Sequence, residues 1–225
     1  VCNQVKCVFF ENEENKNIFI DLKIVKDNKC HVLNGAGVNL EDFMYQPYPI
    51  EKNNIKFLFI GRIMREKGID ELLYAASKIK EVYPLVEFNI VGPMEDNYRE
   101  IINEYSKKNI IKYYGYQNDV KPFIEKCHCF ILPSYHEGMA NTLLEAASMG
   151  RPLITSDIHG CKEAINNNGY LVKVQDKQDL YIQIKKFIEL NYDEKHQMSF
   201  NSRKHMENTF DKKKVVNETI KYLLS

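Results

Sequence analysis

The sequence predicts an α/β fold: a parallel sheet flanked by helices and followed by a helical tail. Two observations carry this expectation. Between residues 55 and 174, short runs rich in Ile, Val, Phe, Leu and Tyr, bounded by Gly, Pro or Asn, alternate with stretches of helical periodicity. Between residues 176 and 225 the helical pattern continues with many charges and no strand-like run. Alternating strands and helices build a parallel sheet covered on both faces. Ligands of such sheets sit beyond the carboxyl ends of the strands, so the loops after each strand are the places to look for chemistry.

The elements follow in order. Strands are expected over 55–60, 86–91, 110–114, 129–133, 152–155 and 170–174. Ile69, Leu72, Leu73, Ala76, Ile79 and Val82 recur at helical spacing and make one apolar face. Further helices are expected over 98–107, 120–126, 139–149 and 162–166. In the tail, Leu180, Ile184, Phe187 and Ile188 form one apolar stripe. Val215, Val216, Ile220, Leu223 and Leu224 form another, and both are expected to pack on the sheet domain. Asp211-Lys212-Lys213-Lys214 reads as a solvated helix start, with contact to a membrane surface as the less favoured alternative. The head does not fit the alternation. It offers a strand over 6–10, a helix over 13–22, a short strand over 30–33, a turn-rich stretch over 34–39 and the stiff Pro47-Tyr48-Pro49. Residues 1–50 therefore read as the end of a preceding domain plus a connector. Residues 51–175 read as the sheet domain, and 176–225 as helices packing on it.

Composition narrows the function. Lys plus Arg and Asp plus Glu both number 31, so the formal net charge is zero and broad electrostatic capture of nucleic acid is not expected. No apolar run is long enough to span a bilayer, and no secretory signal is recognisable. The chain starts Val1-Cys2-Asn3 without an initiator Met and reads as a piece of something longer. Its six cysteines are expected as reduced thiols in a cytoplasmic setting. Cys127-His128-Cys129 has C-x-C spacing and enters a strand, which favours core residues over a metal site.

The chemistry-bearing stretch is Ser134-Tyr135-His136-Glu137-Gly138-Met139-Ala140-Asn141-Thr142-Leu143-Leu144-Glu145. It places two carboxylates eight residues apart across a turn that opens a helix. The N–H groups of Gly138, Met139, Ala140, Asn141 and Thr142 are expected to face an anion, as helix starts do. A carboxylate repels phosphate, so Glu137 and Glu145 should engage hydroxyls on either side. Glu145 suits ribose hydroxyls and Glu137 a sugar. A nucleotide-diphosphate sugar is anionic in the middle and hydroxyl-rich at both ends. Each acid alone reads more readily as a surface residue. A second loop, Gly61-Arg62-Ile63-Met64-Arg65-Glu66-Lys67-Gly68, follows the first strand of the sheet domain. Arg62 and Lys67 could grip a pyrophosphate there, the Arg through two oxygens and the Lys as a point charge. The spacing is not that of a P-loop. Gly35-Ala36-Gly37 lacks the third glycine and the following helix of a dinucleotide fingerprint. Val91-Gly92-Pro93 and Gly115-Tyr116-Gln117 end two further strands, either as plain turns or as the lining of a base or sugar pocket, with Gly92, Tyr116 and Gln117 as the candidates.

The ordered set resembles a known family. Gly61-Arg62 with Glu66-Lys67-Gly68, Val91-Gly92, Gly115-Tyr116, and Glu137 through Glu145 followed by Gly150-Arg151-Pro152 are similar to the retaining GT-B glycosyltransferases of family 4, marked by an E-x7-E motif. Val32-Leu33-Asn34-Gly35-Ala36-Gly37-Val38-Asn39 resembles the segment that leads into their nucleotide-binding domain. The likeness covers nearly the whole chain and leans toward bacterial capsule, lipopolysaccharide and exopolysaccharide transferases.

The resemblance implies a Rossmann-like domain that is one half of a GT-B fold, with a UDP-sugar as the donor. Arg62 and Lys67 would hold the diphosphate, Glu145 the ribose, and Glu137 the donor sugar beside its reacting carbon. Glu137 would act as nucleophile or as electrostatic stabiliser of a front-face substitution. No metal or other cofactor is required, and no DxD-type pair occupies an equivalent position. The acceptor, a polysaccharide or lipid-linked glycan, would bind through an N-terminal domain that is almost wholly absent here. The expectation is therefore donor binding with little or no transfer by this chain alone, in the cytoplasm or at the inner face of the membrane. The alternative is a non-catalytic nucleotide-binding module. A related GT-B phosphorylase or epimerase is a third reading, but the cofactor lysine motif of such a phosphorylase is not found.

Overall fold

In the computed structural model, residues 5–33, 35–50 and 54–224 are described. Cys2, Asn34 within the turn-rich stretch, and the expected start of the sheet domain at residue 51 lie outside them.

The head carries β1 (Val8–Phe10), α1 (Glu13–Asp21) and β2 (Cys30–Val32), with β1 and β2 parallel. The main sheet comprises β3 (Lys56–Ile60), β4 (Glu87–Val91), β5 (Lys112–Tyr113), β6 (Cys129–Leu132), β7 (Leu153–Ser156) and β8 (Gly169–Val172). All its pairings are parallel and its order is β5-β4-β3-β6-β7-β8. The helices between these strands are α2 (Ile69–Val82), α3 (Arg99–Lys107), α4 (Lys121–Lys126) and α5 (Asn141–Ser148). The tail forms α6 (Lys177–Glu189), α7 (Tyr192–His205) and α8 (Lys212–Leu224).

The sequence pattern builds this sheet directly. Residues of β6 and β7 are buried without alternation, as expected of strands covered on both faces. Phe57, Phe59, Phe88 and Phe130 are buried, and Phe57 stacks on Phe88 with ring centroids 5.1 Å apart. Each fully buried Phe contributes about 1.5–3 kcal/mol relative to exposure. The apolar face of α2 is buried through Ile69, Leu72, Leu73, Ala76 and Ile79, and α6 covers part of the same region with Leu180, Ile184 and Phe187. Phe187 meets Phe57 at 5.8 Å.

Strand order places the site. From β3 the chain winds outward through β4 and β5; from β6 it winds the other way through β7 and β8. The direction reverses between β3 and β6, so a crevice opens at their carboxyl ends, the position where open α/β sheets take ligands. Its two walls are the loops 61–68 and 133–140.

Three expectations need correction. The helix foreseen over 139–149 begins only at Asn141, because Ala140 serves as its cap and its N–H is used elsewhere. The helix foreseen over 162–166 is a single 3₁₀ turn, Lys162–Ala164. The last tail helix does not lay its expected stripe on the sheet domain: Val215 is buried, but Val216, Ile220, Leu223 and Leu224 are exposed, and the helix reaches the head instead. Tyr222 of α8 stacks on His31 of the head at 4.0 Å, and Lys6 Nζ donates to Leu223 O at 2.8 Å. Val215 and Tyr222 lie seven residues apart on one face of α8, so a single helix side faces inward along its length.

The connector is fixed to the sheet domain. Arg151 is fully buried, and its Nη2 donates to Gln46 O at 2.7 Å and Pro47 O at 3.0 Å. Arg203 Nη1 donates to Phe43 O at 3.1 Å. Gly37 (φ +67) runs so close to the start of α8 that a Cβ would stand 2.9 Å from Lys212 Cα. No helix among the described residues is long and apolar enough to cross a membrane.

Candidate functional site

The two crevice walls are laced together. Past Ile60 the chain turns through Gly61 and Arg62, then makes a 3₁₀ turn, Arg65–Lys67, before α2. Gly68 has φ +70 and caps α2; a Cβ there would collide with Pro133 O of the opposite loop, so glycine is required on both counts. Tyr135 N donates to Glu66 O at 2.8 Å. The α2 start, with its outward N–H groups, is thereby pressed against the loop that carries Glu137.

Lys67 and Glu137 meet directly. Lys67 Nζ lies 2.5 Å from Glu137 Oε1, and Ser134 Oγ donates to the same oxygen at 2.8 Å. Both side chains are mostly shielded, at 20% and 13% exposure, so the pair is held in a defined place. Arg62 is exposed, and among the described residues its guanidinium has no hydrogen bond or ion pair. The sequence-predicted cations therefore differ in state: Lys67 is pre-engaged by the acid of the other loop, and Arg62 is exposed and uncommitted among the described residues.

The glutamate loop is shaped from behind by Gly160 (φ +85), where a Cβ would stand 2.5 Å from Gly138 O and 2.7 Å from Glu137 O. Ala140 N donates to Gly160 O at 2.8 Å. This removes Ala140 from the expected set of anion-facing donors: its N–H is spent inside the fold. The N–H groups of Gly138, Met139, Asn141 and Thr142 have no acceptor among the described residues, and the last two are the open donors of the α5 first turn. Met139 is buried beneath the head, where Gly35 (φ +59) approaches its side chain.

Glu145 lies one turn into α5, on the side of Asn141. It is half-buried, and its side chain has no hydrogen bond or ion pair among the described residues. Burial alone pushes its carboxyl up to about 7. A carboxylate kept half-dry without a partner has a standing cost, which hydroxyl donors would offset.

The β4 and β5 ends form the far wall. Gly92 (φ +141) sits where a Cβ would collide with Gly61 O; its N–H donates to Gly115 O at 2.8 Å, and its carbonyl accepts from Tyr113 OH at 2.9 Å. Gly92 thus draws the β3, β4 and β5 ends together. Tyr116 is exposed at 68%, and Gln117 Nε2 donates to Tyr114 O at 2.7 Å. His128 is a core residue, its Nδ1 accepting from Lys56 N at 3.0 Å.

The sequence marks neither Ser134, which bonds Glu137, nor Gly160, which backs the glutamate loop, as part of this site. Ser134 stands three residues before Glu137, a readable proximity. Gly160 comes from a distant segment and carries no local signal.

A parallel sheet with opposed winding thus brings an Arg, a Lys–Glu pair and an open helix start together at its switch point, and defines an open α/β protein with a candidate site there. Comparison with known proteins gives the family. Residues 41–205 match the model for glycosyl transferases group 1, and the chain belongs to that family. It is 30% identical over 193 residues to a Campylobacter jejuni N,N'-diacetylbacillosaminyl-diphospho-undecaprenol alpha-1,3-N-acetylgalactosaminyltransferase, covering 80% of this chain and 50% of that protein. It is 29% identical over 180 residues to an Escherichia coli UDP-Gal:alpha-D-GlcNAc-diphosphoundecaprenol alpha-1,3-galactosyltransferase, covering 73% of this chain and 46% of that one. The chain spans about half the length of the curated relatives it matches. Among solved structures, Anabaena HepE in complex with UDP and glucose superposes with a TM-score of 0.83 at 18% identity, over 99% of this chain and 64% of that one. The fold is therefore that of the GT-B glycosyltransferases.

Proposed function

We propose that this chain is the donor-binding portion of a retaining glycosyltransferase. The full-length enzyme moves a sugar from a UDP-sugar to a polysaccharide or lipid-linked glycan acceptor, in the cytoplasm or at its membrane face. The observation that carries this reading is the Lys67–Glu137 pair across the sheet's switch point, with the unpartnered Glu145 eight residues on. The relatives named for undecaprenol-linked transfer, and the UDP held by HepE, support the donor and acceptor classes.

In this reading the diphosphate lies between Arg62, Lys67 and the open N–H groups at the start of α5. Glu145 accepts the ribose hydroxyls. The base rests by Tyr116, with Gly92 and Gln117 shaping that end. Glu137 stands beside the anomeric carbon. During transfer the bond from that carbon to the phosphate oxygen breaks, a bond to the acceptor oxygen forms, and the proton of the acceptor hydroxyl passes to the departing phosphate. Positive charge developing on the sugar is stabilised by Glu137, whether through a covalent intermediate or a front-face substitution. Negative charge developing on the departing UDP is met by Arg62, Lys67 and the helix start. No step calls on a metal. The acceptor is brought by an N-terminal domain of which residues 5–33 supply only the last piece, so this chain alone binds donor and transfers little.

Calorimetry with UDP tests the reading. Wild type binds UDP, and Arg62→Ala weakens that binding about 10- to 100-fold, the loss expected for one charge-assisted contact. Equal, weak affinity for UDP, GDP and ADP, unchanged by the substitution, contradicts a donor site.

A further inference from the structure

We infer that Glu11 is a sugar-recognising residue of the same site: carried by the head, its carboxylate reaches over Gly138 and accepts a hydrogen bond from a sugar hydroxyl. The inference rests on the transferase reading above and concerns a residue outside the E-x7-E loop.

Glu11 directly follows β1 and precedes Asn12, a buried residue whose Oδ1 accepts from Asn15 N at 2.8 Å to cap α1. The backbone at Glu11 is therefore held between a strand end and a capped helix start. From there the side chain crosses to the sheet domain. Its Oε2 occupies the space that a Cβ on Gly138 would take, next to Glu137. Gly35 closes on Met139 one residue further along, so head and glutamate loop touch at two adjacent points.

The electrostatics select the ligand group. Glu137 is neutralised by Lys67 and also accepts from Ser134. Glu11 is exposed and, among the described residues, has no hydrogen bond or ion pair. An uncompensated carboxylate repels phosphate oxygens and attracts hydrogen-bond donors. The space over Gly138 is thus disfavoured for the diphosphate, which is left to Arg62, Lys67, Asn141 and Thr142, and is favoured for hydroxyls. Hydroxyls reach this point from two sources, the donor sugar held by Glu137 and the acceptor sugar delivered from the head side.

The test uses the full-length transferase with Glu11→Gln and Glu11→Ala, and compares three quantities: Kd for UDP, Kd for the UDP-sugar, and KM for the acceptor. UDP affinity is expected to stay within about twofold, while one sugar-dependent quantity rises about tenfold, as for a hydrogen bond to a charged group. A weaker UDP-sugar assigns the hydroxyl to the donor. A raised acceptor KM with unchanged UDP-sugar affinity assigns it to the acceptor. Three unchanged quantities overturn the inference. So does a tenfold gain in UDP affinity, which would place the diphosphate against Glu11, or a loss of UDP binding, which would mark a structural role. Failure of wild type to bind UDP removes the transferase reading itself.

Discussion

Glu137→Gln in the full-length transferase is expected to slow sugar transfer about 10²- to 10³-fold, the usual loss when one preorganised electrostatic partner of a transition state is removed. The substitution keeps the side-chain shape and an oxygen for Ser134, but removes the charge that the proposed pose sets beside the anomeric carbon. It also releases Lys67, whose Nζ lies 2.5 Å from the carboxylate. A released lysine is available to phosphate, so UDP affinity should hold or improve slightly. Loss of rate with retained nucleotide binding is the signature of a group acting mainly in the transition state. Steady-state kinetics and calorimetry on the same preparation check both halves. A rate within threefold of wild type would show that the Lys67–Glu137 pair only shapes the loop.

Glu145→Gln should separate stability from binding. Burial holds the Glu145 carboxyl at about 7 in the folded chain, against 4.5 for a freely solvated glutamate. Between those values the folded state keeps a proton that the unfolded chain releases. Stability therefore falls as pH rises through that window, by on the order of 3 kcal/mol at most, and stays lower above it. Glu145→Gln lacks this penalty. Urea denaturation should find the variant matched to wild type near pH 4 and more stable at pH 8 by about 1–3 kcal/mol. Nucleotide binding moves the other way. In the proposed pose the ribose hydroxyls donate to the ionised carboxylate, so UDP binding would lower its pKa and release a proton. Wild-type affinity should rise with pH up to about 7 and then level off. At pH 8 the variant should bind UDP about 10- to 100-fold more weakly, with a flat pH profile. A variant that gains no stability at pH 8 and binds UDP like wild type marks Glu145 as an ordinary helix acid.

The sheet was readable because local signals agree with its tertiary role. The buried runs at Phe57–Ile60 and Phe130–Leu132 have no polar alternation, and the Ile69–Ile79 face has a clean helical period. The site was readable as residues but not as contacts. Arg62, Lys67, Glu137 and Glu145 stand out by type and spacing, yet Lys67 and Glu137 are 70 positions apart and meet only because β3 and β6 are neighbours. Strand order of that kind is not written in any local pattern. Ala140 was misjudged for the same reason, since the acceptor of its N–H, Gly160 O, lies beyond β7. The turn of α8 toward the head depends on a tyrosine stacking on a histidine 191 residues earlier, at 4.0 Å, and the apolar stripe alone points equally well to the sheet domain.

A crystal structure of this chain grown with UDP tests the central claim most directly. The account predicts the diphosphate between Arg62, Lys67 and the α5 first turn at Asn141 and Thr142, with both ribose hydroxyls on Glu145 and no phosphate oxygen over Gly138. UDP bound away from the crevice between the loops 61–68 and 133–140, or lying in it with the ribose remote from Glu145, would contradict it.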